Sequence, residues 1–386
     1  MSYIGKTPTP APLTSSDITD GIITTTKIAD ANVTNPKLTS GSQQNFRNII
    51  INGDMSIAQR GTSTSSITGN GYHTIDRFNT VNTTLGTWTQ SQDTTVPTGE
   101  GFATSLKMDC TTADASPAAG DRLDIQQKFE GQNLQYLKKG TASAESLTLS
   151  FWVYATKTGT NIVELFDNDN SRQISQAYTI SSSNTWEKKT LTFAGDTSGA
   201  LGNDNGSSLQ VSWFLAVGSN YSSGTLNTSW NSNTNANRAV GQVNHADSTS
   251  NNFYITGIQL EAGTTASDFE FLPVDVNLQR CQRYFLSLQG ASSTAIGSGI
   301  SQISSASACY INFITSMRSS PTATYSALGI TDATNYAANV SSIQSIESGT
   351  TGARIIVNHA SSATALRSAL LIVNDANAYL HLNSEL

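Results

Sequence analysis

From about residue 46 onward, short runs of alternating apolar and polar residues recur, each broken by a turn-forming stretch. In Ser146-Leu-Thr-Leu-Ser-Phe-Trp-Val-Tyr154, residues Leu147, Leu149, Phe151 and Val153 share one face, the period of a half-buried strand. Trp186–Phe193 alternates likewise after a turn at Ser181–Asn184, and Ser208–Val217 and Asn252–Leu260 read as two more strands. Trp152, Trp186 and Trp213 lie within these runs and are expected in the core. Leu134, Leu137 and Lys138 have helical spacing and predict one short helix around Asn133–Lys139. About eight strands over residues 46–275 predict a jelly-roll β-sandwich.

Alternation resumes in Ala308–Ile314, Ala353–Val357 and Ala369–Val373, and the chain closes on Asn377–Leu382. Residues 276–386 are therefore expected to form a smaller C-terminal β domain, either a sandwich or half of a barrel shared between subunits. Small Ala and Ser residues on its strands suggest close packing around a threefold axis.

Residues 1–45 differ. They hold Pro8, Pro10, Pro12 and Pro36 of the chain's 8 prolines, and Tyr3 is their one aromatic residue. A ten-residue repeat runs through them: Leu13-Thr14, Ile23-Thr24 and Val33-Thr34 share one phase, and Ile18, Ile28 and Leu38 another. Such a unit is too short for its own core. Its apolar pairs are buried only against other chains, in an intertwined stalk or a docking peptide; the alternative is a disordered tail.

Composition narrows the function classes. Ser, Thr, Asn and Gly are abundant, which favours strands and turns over a helical or doubly wound fold. With 21 Lys and Arg against 28 Asp and Glu, the net charge of −7 speaks against a nucleic-acid binder, which needs a basic stripe. The longest apolar runs, such as Ala369–Val373, are far short of a membrane span, so no membrane insertion is expected. Cys110, Cys281 and Cys309 lack metal-ligand spacing, and their odd number argues against a disulfide framework. No cleaved signal is evident at the N-terminus, and synthesis in a reducing cytoplasm is expected.

Catalytic and metal constellations are weak. Asp167-Asn-Asp-Asn-Ser171 begins like a calcium loop, but Arg172 stands where glycine is needed and Tyr178 where a bidentate glutamate belongs. It reads as a polar turn. Asp121 and Asp124, or Asp167 and Asp169, are close in sequence but are expected in turns rather than facing across a cleft. The four histidines are dispersed. Cys281, between Arg280 and Arg283, is expected as a small buried hydrophobe, and the arginines as structural donors. The chain is expected not to be an enzyme and to need no cofactor or metal.

Asn48-Ile-Ile-Ile-Asn-Gly-Asp54, Gln59-Arg60-Gly61 and Tyr72-His-Thr-Ile-Asp-Arg-Phe78 resemble the opening of a domain common in bacteriophage tail fibres. Ser150-Phe-Trp-Val and Gly257-Ile-Gln-Leu-Glu-Ala-Gly263 continue the likeness, and Pro273–Phe285 and Met317-Arg-Ser-Ser-Pro-Thr322 resemble later elements of such fibres. The middle segment is also similar to family 4/9-type carbohydrate-binding modules. Such modules often carry a structural calcium, but here Asp54 is followed by Met55-Ser56 without the usual acidic residue, and Glu261 is expected as a solvated turn carboxylate.

The resemblance implies a homotrimeric virion fibre. Its leader, residues 1–45, would dock to a virion tail or adaptor protein, and its tip, residues 276–386, would meet a host surface glycan. The alternative is a head fibre or decoration protein without a receptor role. Sugar recognition needs aromatic faces beside hydrogen-bonding groups on loops. Tyr221 and Trp230, in the polar stretch Gly218–Asn237, are candidate stacking residues, although Leu226, Thr228 and Trp230 also alternate like a strand. On the tip, Tyr336 beside Asn335 and Asn339, and Tyr379 near His381, are the principal candidates, with packing between subunits as the alternative.

Overall fold

The strands begin where the alternating runs begin. A computed structural model describes residues 46–332, 337–360 and 363–386; the leader and Tyr336 lie outside the described residues. The first strands are β1 (Ser63–Ile67), β2 (Gly71–Tyr72), β3 (Asn79–Thr83), β4 (Thr87–Asp93), β5 (Ser105–Thr112) and β6 (Arg122–Glu130). They are followed by β7 (Leu147–Ala155), β8 (Gly159–Asp167), β9 (Arg172–Ile180), β10 (Glu187–Phe193), β11 (Ser207–Val217), β12 (Asn231–Ser232) and β13 (Asn252–Ala262). A six-stranded sheet, β1-β4-β5-β13-β7-β10, packs on a seven-stranded sheet, β12-β9-β8-β11-β6-β3-β2. The fold is an all-β jelly-roll sandwich.

The alternation decides which side chains enter the core. Leu149, Phe151 and Val153 of β7 are fully buried, and the Phe151 ring meets Trp213 of β11 edge-on at 5.9 Å between centroids. Burying each such side chain contributes about 1.5–3 kcal/mol. In β13 the register shifts between Thr256 and Gln259, and Gly257 takes φ +61° there. A Cβ at Gly257 would stand 2.6 Å from the Phe102 ring, so this bend requires glycine. The helix expected at Asn133–Lys139 is instead two short 3-10 turns, Gly131–Asn133 and Gln135–Leu137, which bury Leu134 and Leu137. Lys138 ends them at φ 52°, so helical spacing persists for too few residues to build an α-helix.

Helix α1 (Ser219–Ser222) follows β11, and α2 (Val274–Gln282) spans the expected domain boundary at 275/276. Beyond it come β14 (Phe285–Gln289), β15 (Ala295–Ile303), β16 (Ala306–Asn312), β17 (Thr322–Ser326) and β18 (Leu328–Thr331). The last strands are β19 (Ala337–Ser348), β20 (Gly352–His359), β21 (Ser368–Val373) and β22 (Tyr379–Asn383). A barrel, β15-β16-β20-β19-β18-β21, closes within the one chain around Cys309, Ile330, Ile355, Val357 and Leu371, rather than being shared between subunits. Closure leaves it no free sheet edge. The separate sheet β14-β22-β17 packs Leu380 and Leu382 onto the barrel core.

The sequence elements quoted for the fibre likeness prove to be structural locks. The Asn48 side chain donates to Ile258 O and accepts from Ile50 N and Leu260 N. Asn52 ties Ile57 to the Asp76 carbonyl. Arg77 is fully buried, pairs with Glu385, donates to Lys128 O at 2.7 Å, and lies 3.5 Å over the Tyr284 ring. Arg60 reaches Glu385 at 3.2 Å and Asp76 at 3.6 Å, and lies 3.5 Å over the Phe285 ring. Arg283 grips Glu130 with two bonds of 2.7 and 2.6 Å, and Arg318 holds the Ser384 and Glu385 carbonyls. Of these, the Arg60, Arg77 and Arg283 contacts fasten the C-terminal β domain to the sandwich. Cys281 is buried beside them, as expected, and burial raises its thiol well above the usual range.

Candidate functional site

Strand β6 alternates as Arg122-Leu-Asp-Ile-Gln-Gln-Lys-Phe-Glu130. Leu123, Ile125 and Phe129 enter the core, so Arg122, Asp124, Gln126, Lys128 and Glu130 line the outer face of the seven-stranded sheet. Antiparallel register extends this line sideways, because direct partners share a face. Gln126 stands opposite Ser212, which stands opposite Glu164; Lys128 stands opposite Gln210, which stands opposite Phe166. One end of the face is roofed by the segment after β11, where Ala239 packs on Ile162 and Phe214 with Leu226 beside them.

Charges on this face are nearly all matched. Arg122 holds Asp124 with bonds of 2.5 and 2.9 Å, Arg238 holds Glu164 at 2.9 and 2.5 Å, and Glu130 belongs to Arg283. Lys128 differs. Its ammonium has no hydrogen-bond or ion-pair partner among the described residues. Burial first, then the neighbouring Arg77 and Arg122, hold its pKa below the ordinary lysine value. Gln126 Nε2 donates to Asn79 Oδ1 at 3.1 Å and Gln210 Nε2 to Ser212 Oγ at 2.7 Å. Both glutamines are buried, at 6% exposure each, and neither carboxamide oxygen receives a donor among the described residues, so each can accept from a hydroxyl group that reaches it.

The predicted site residues are scattered. Tyr221 lies on α1 at the roofed end, half-buried, its ring 5.8 Å from the Arg122 guanidinium and 6.0 Å from that of Arg238. Trp230 is not in a strand; its indole donates to Ala194 O at 2.8 Å, and it packs on the core with Lys139 over its ring. Lys139 in turn pairs with Asp167 and Asp196, so Trp230 covers a buried ion cluster and shares no such partner with Tyr221. Tyr379 lies on β22, stacked on His381 at 4.0 Å, and burial followed by Arg60 lowers the His381 pKa to about 4.

Several other expectations are corrected. Trp152 and Trp186 are half-buried rather than core, because the inward run of β7 turns Trp152 and Tyr154 to the outer face of the six-stranded sheet. There Tyr154, Tyr254 and Trp186 pack at 5.0–6.3 Å with interplanar angles of 81°, 47° and 70°. Rings set edge to face engage one another and form no coplanar platform for a sugar ring. Asp124 sits in β6 and Asp167 ends β8, both fully buried in ion pairs rather than exposed in turns. Glu261 is buried in β13, where it accepts from Ser267 N at 2.9 Å and Ser267 Oγ at 2.7 Å. Among the described residues no group of three or more His, Cys, Asp or Glu is placed to hold a metal ion.

Sequence reasoning missed Lys128, Gln126, Gln210 and Phe166. The alternation of β6 was a usable signal, since it turns four charged residues to one face.

No family model and no curated protein matches the chain. Among solved structures, it is similar to the enzymatically active domain of tailspike protein 4 of bacteriophage CBA120, at 14% identity and TM-score 0.30, over 56% of this chain and 21% of that one. It is also similar to a family 11 carbohydrate-binding module from Clostridium thermocellum in complex with a mixed-linked tetrasaccharide, at 11% identity and TM-score 0.26, over 53% of this chain and 98% of that one. TmCBM61 in complex with β-1,4-galactotriose matches at 10% identity and TM-score 0.26, over 56% of this chain and 99% of that one. The all-β reading rests on the strand pairing itself.

Proposed function

We propose that the chain is a structural tail-fibre protein of a bacteriophage virion that adheres, without catalysis, to a glycan of the host surface. The observation that carries the adhesive part is the outer face of the seven-stranded sheet. Among the described residues two carboxamide oxygens there are without donors, the half-buried Phe166 stands opposite Gln210, and Tyr221 borders the face with no hydroxyl partner. Hydroxyl-rich, weakly apolar ligands call for that mixture on a rigid scaffold. Tyr379 with His381 offers a second contact on the C-terminal sheet.

The fibre part is supported by the order of the sequence elements from Asn48 to Thr322 and by the repeating leader. In this reading the leader docks to a tail or adaptor protein, the assembly is a homotrimer, and weak single contacts gain strength by valency. The test is adsorption of the purified chain to host cells. Gln126→Ala with Gln210→Ala should weaken it at least tenfold while the fold is kept, as expected for two lost hydrogen bonds of about 1 kcal/mol each. Unchanged adsorption would move the site elsewhere, with Tyr379→Ala as the next variant.

A further inference from the structure

We propose that the glycan is acidic, and that Lys128 takes its carboxylate. This rests on the adhesive reading above and adds the ligand's charge class. Four of the five outward residues of β6 are charged, and three of them have found partners: Arg122 with Asp124, and Glu130 with Arg283. Lys128 lies between them on the same face, half-buried and paired across the ladder with Gln210; its backbone carbonyl receives Arg77, and its side chain makes no hydrogen bond or ion pair among the described residues. Arg77 and Arg122 already hold Glu385 and Asp124, so neither protein carboxylate is free to turn to Lys128.

An ammonium half out of water, with no ion-pair partner among the described residues and with the nearby Asp124 already held by Arg122, is a place where an external anion is stabilised. Its immediate neighbours fit a sugar acid better than a bare ion. Gln210 is its cross-strand partner and Gln126 its neighbour two residues back, and each presents a free carbonyl oxygen to hydroxyl groups. Phe166, across Gln210 in the same row and 5.0 Å from the Arg238 guanidinium, adds a half-buried aromatic ring beside them.

The test measures binding of the full chain to oligouronates (galacturonate, glucuronate-containing and alginate oligomers), each paired with its carboxyl-reduced counterpart. At least one acidic member should bind about tenfold or more tightly than its reduced form, with affinity falling as salt rises. Lys128→Gln should remove that advantage by weakening the acidic form about tenfold more than the reduced form, and Lys128→Arg should restore part of it. Equal affinity for acidic and reduced forms would overturn the charge assignment and leave the adhesive reading standing. Binding of neither form, by a chain that still adsorbs to host cells, would overturn it too, and absence of all glycan binding would overturn both. If Lys128→Gln lowered the unfolding temperature, Lys128→Arg would carry the comparison, and its failure to discriminate acid from reduced form would count against the proposal.

Discussion

At the junction between sandwich and C-terminal β domain, Arg60, Arg77, Arg283 and Arg318 are each engaged by a carboxylate or a backbone carbonyl. On the neighbouring sheet face, the Lys128 ammonium has neither among the described residues. The two regions share strand β6, whose last residue, Glu130, belongs to the junction, while Lys128 lies two positions earlier. The difference separates two uses of charge. Buried pairs fix how two layers meet, and their members are unavailable to anything else. A cation left without a partner adds no such hold and remains able to bind. Of the recognisable sequence motifs, Gln59–Gly61, Tyr72–Phe78, Pro273–Phe285 and Met317–Thr322 carry residues of the first region.

The comparison breaks most readily at Arg77. Arg77→Ala would leave a void and strip the buried Glu385 of one of its two arginines, Arg60 remaining at 3.2 Å, and should lower stability by up to about 3–5 kcal/mol in denaturant unfolding. Replacing both residues, as Arg77→Met with Glu385→Leu, should recover part of that loss, because Arg60 then gives up its Glu385 contact as well. If the single variant unfolded like the unmodified chain, the junction would not be the lock described above.

A pH series sharpens the same region. Burial pushes the Asp76 carboxyl up to about 7 against the pull of Arg60 and Gln59. An unfolded aspartate loses its proton near pH 4, so between about 4 and 7 the native state holds the extra proton. The stability of the unmodified chain relative to Asp76→Asn should therefore fall as pH rises across that window. His245 and His381, both lowered to about 4, slope the other way, and subtracting the two proteins' curves cancels them. A flat difference would contradict the buried-carboxylate account.

The smallest effects separate the two sandwich faces. Tyr154→Leu should cost about 0.5–1.5 kcal/mol through the lost ring contacts, with glycan binding unchanged. Lys128→Gln should alter stability by no more than about 0.5 kcal/mol, its side chain having no hydrogen bond or ion pair to lose among the described residues. A binding loss for the Tyr154 variant would move the site to the six-stranded sheet.

The fold was largely legible because period-two alternation is a local signal: Leu147 to Val153 announced both a strand and its inner face. The same alternation, followed one step further, assigns Trp152 and Tyr154 to the outside. Treating tryptophan as a core residue by type hid that step. The barrel's closure was not legible, because β15 pairs with both β16 and the distant β21, and such pairing leaves no local trace. Nor was the junction: Arg77 and Glu385 are far apart in sequence, and neither carries a periodic mark. The site was half legible. Tyr221 stood out in a polar loop, whereas Lys128 becomes unusual only when every neighbouring charge is seen to be taken.

The central claim, that the outer face of the seven-stranded sheet is the adhesive surface, is tested most directly by a crystal structure of the chain with an oligosaccharide it binds. The account predicts sugar density across Gln126, Gln210 and Phe166, with hydroxyl groups within about 3 Å of the two carboxamide oxygens. Density confined to Tyr154, Trp186 and Tyr254, or to Tyr379 and His381, would contradict it.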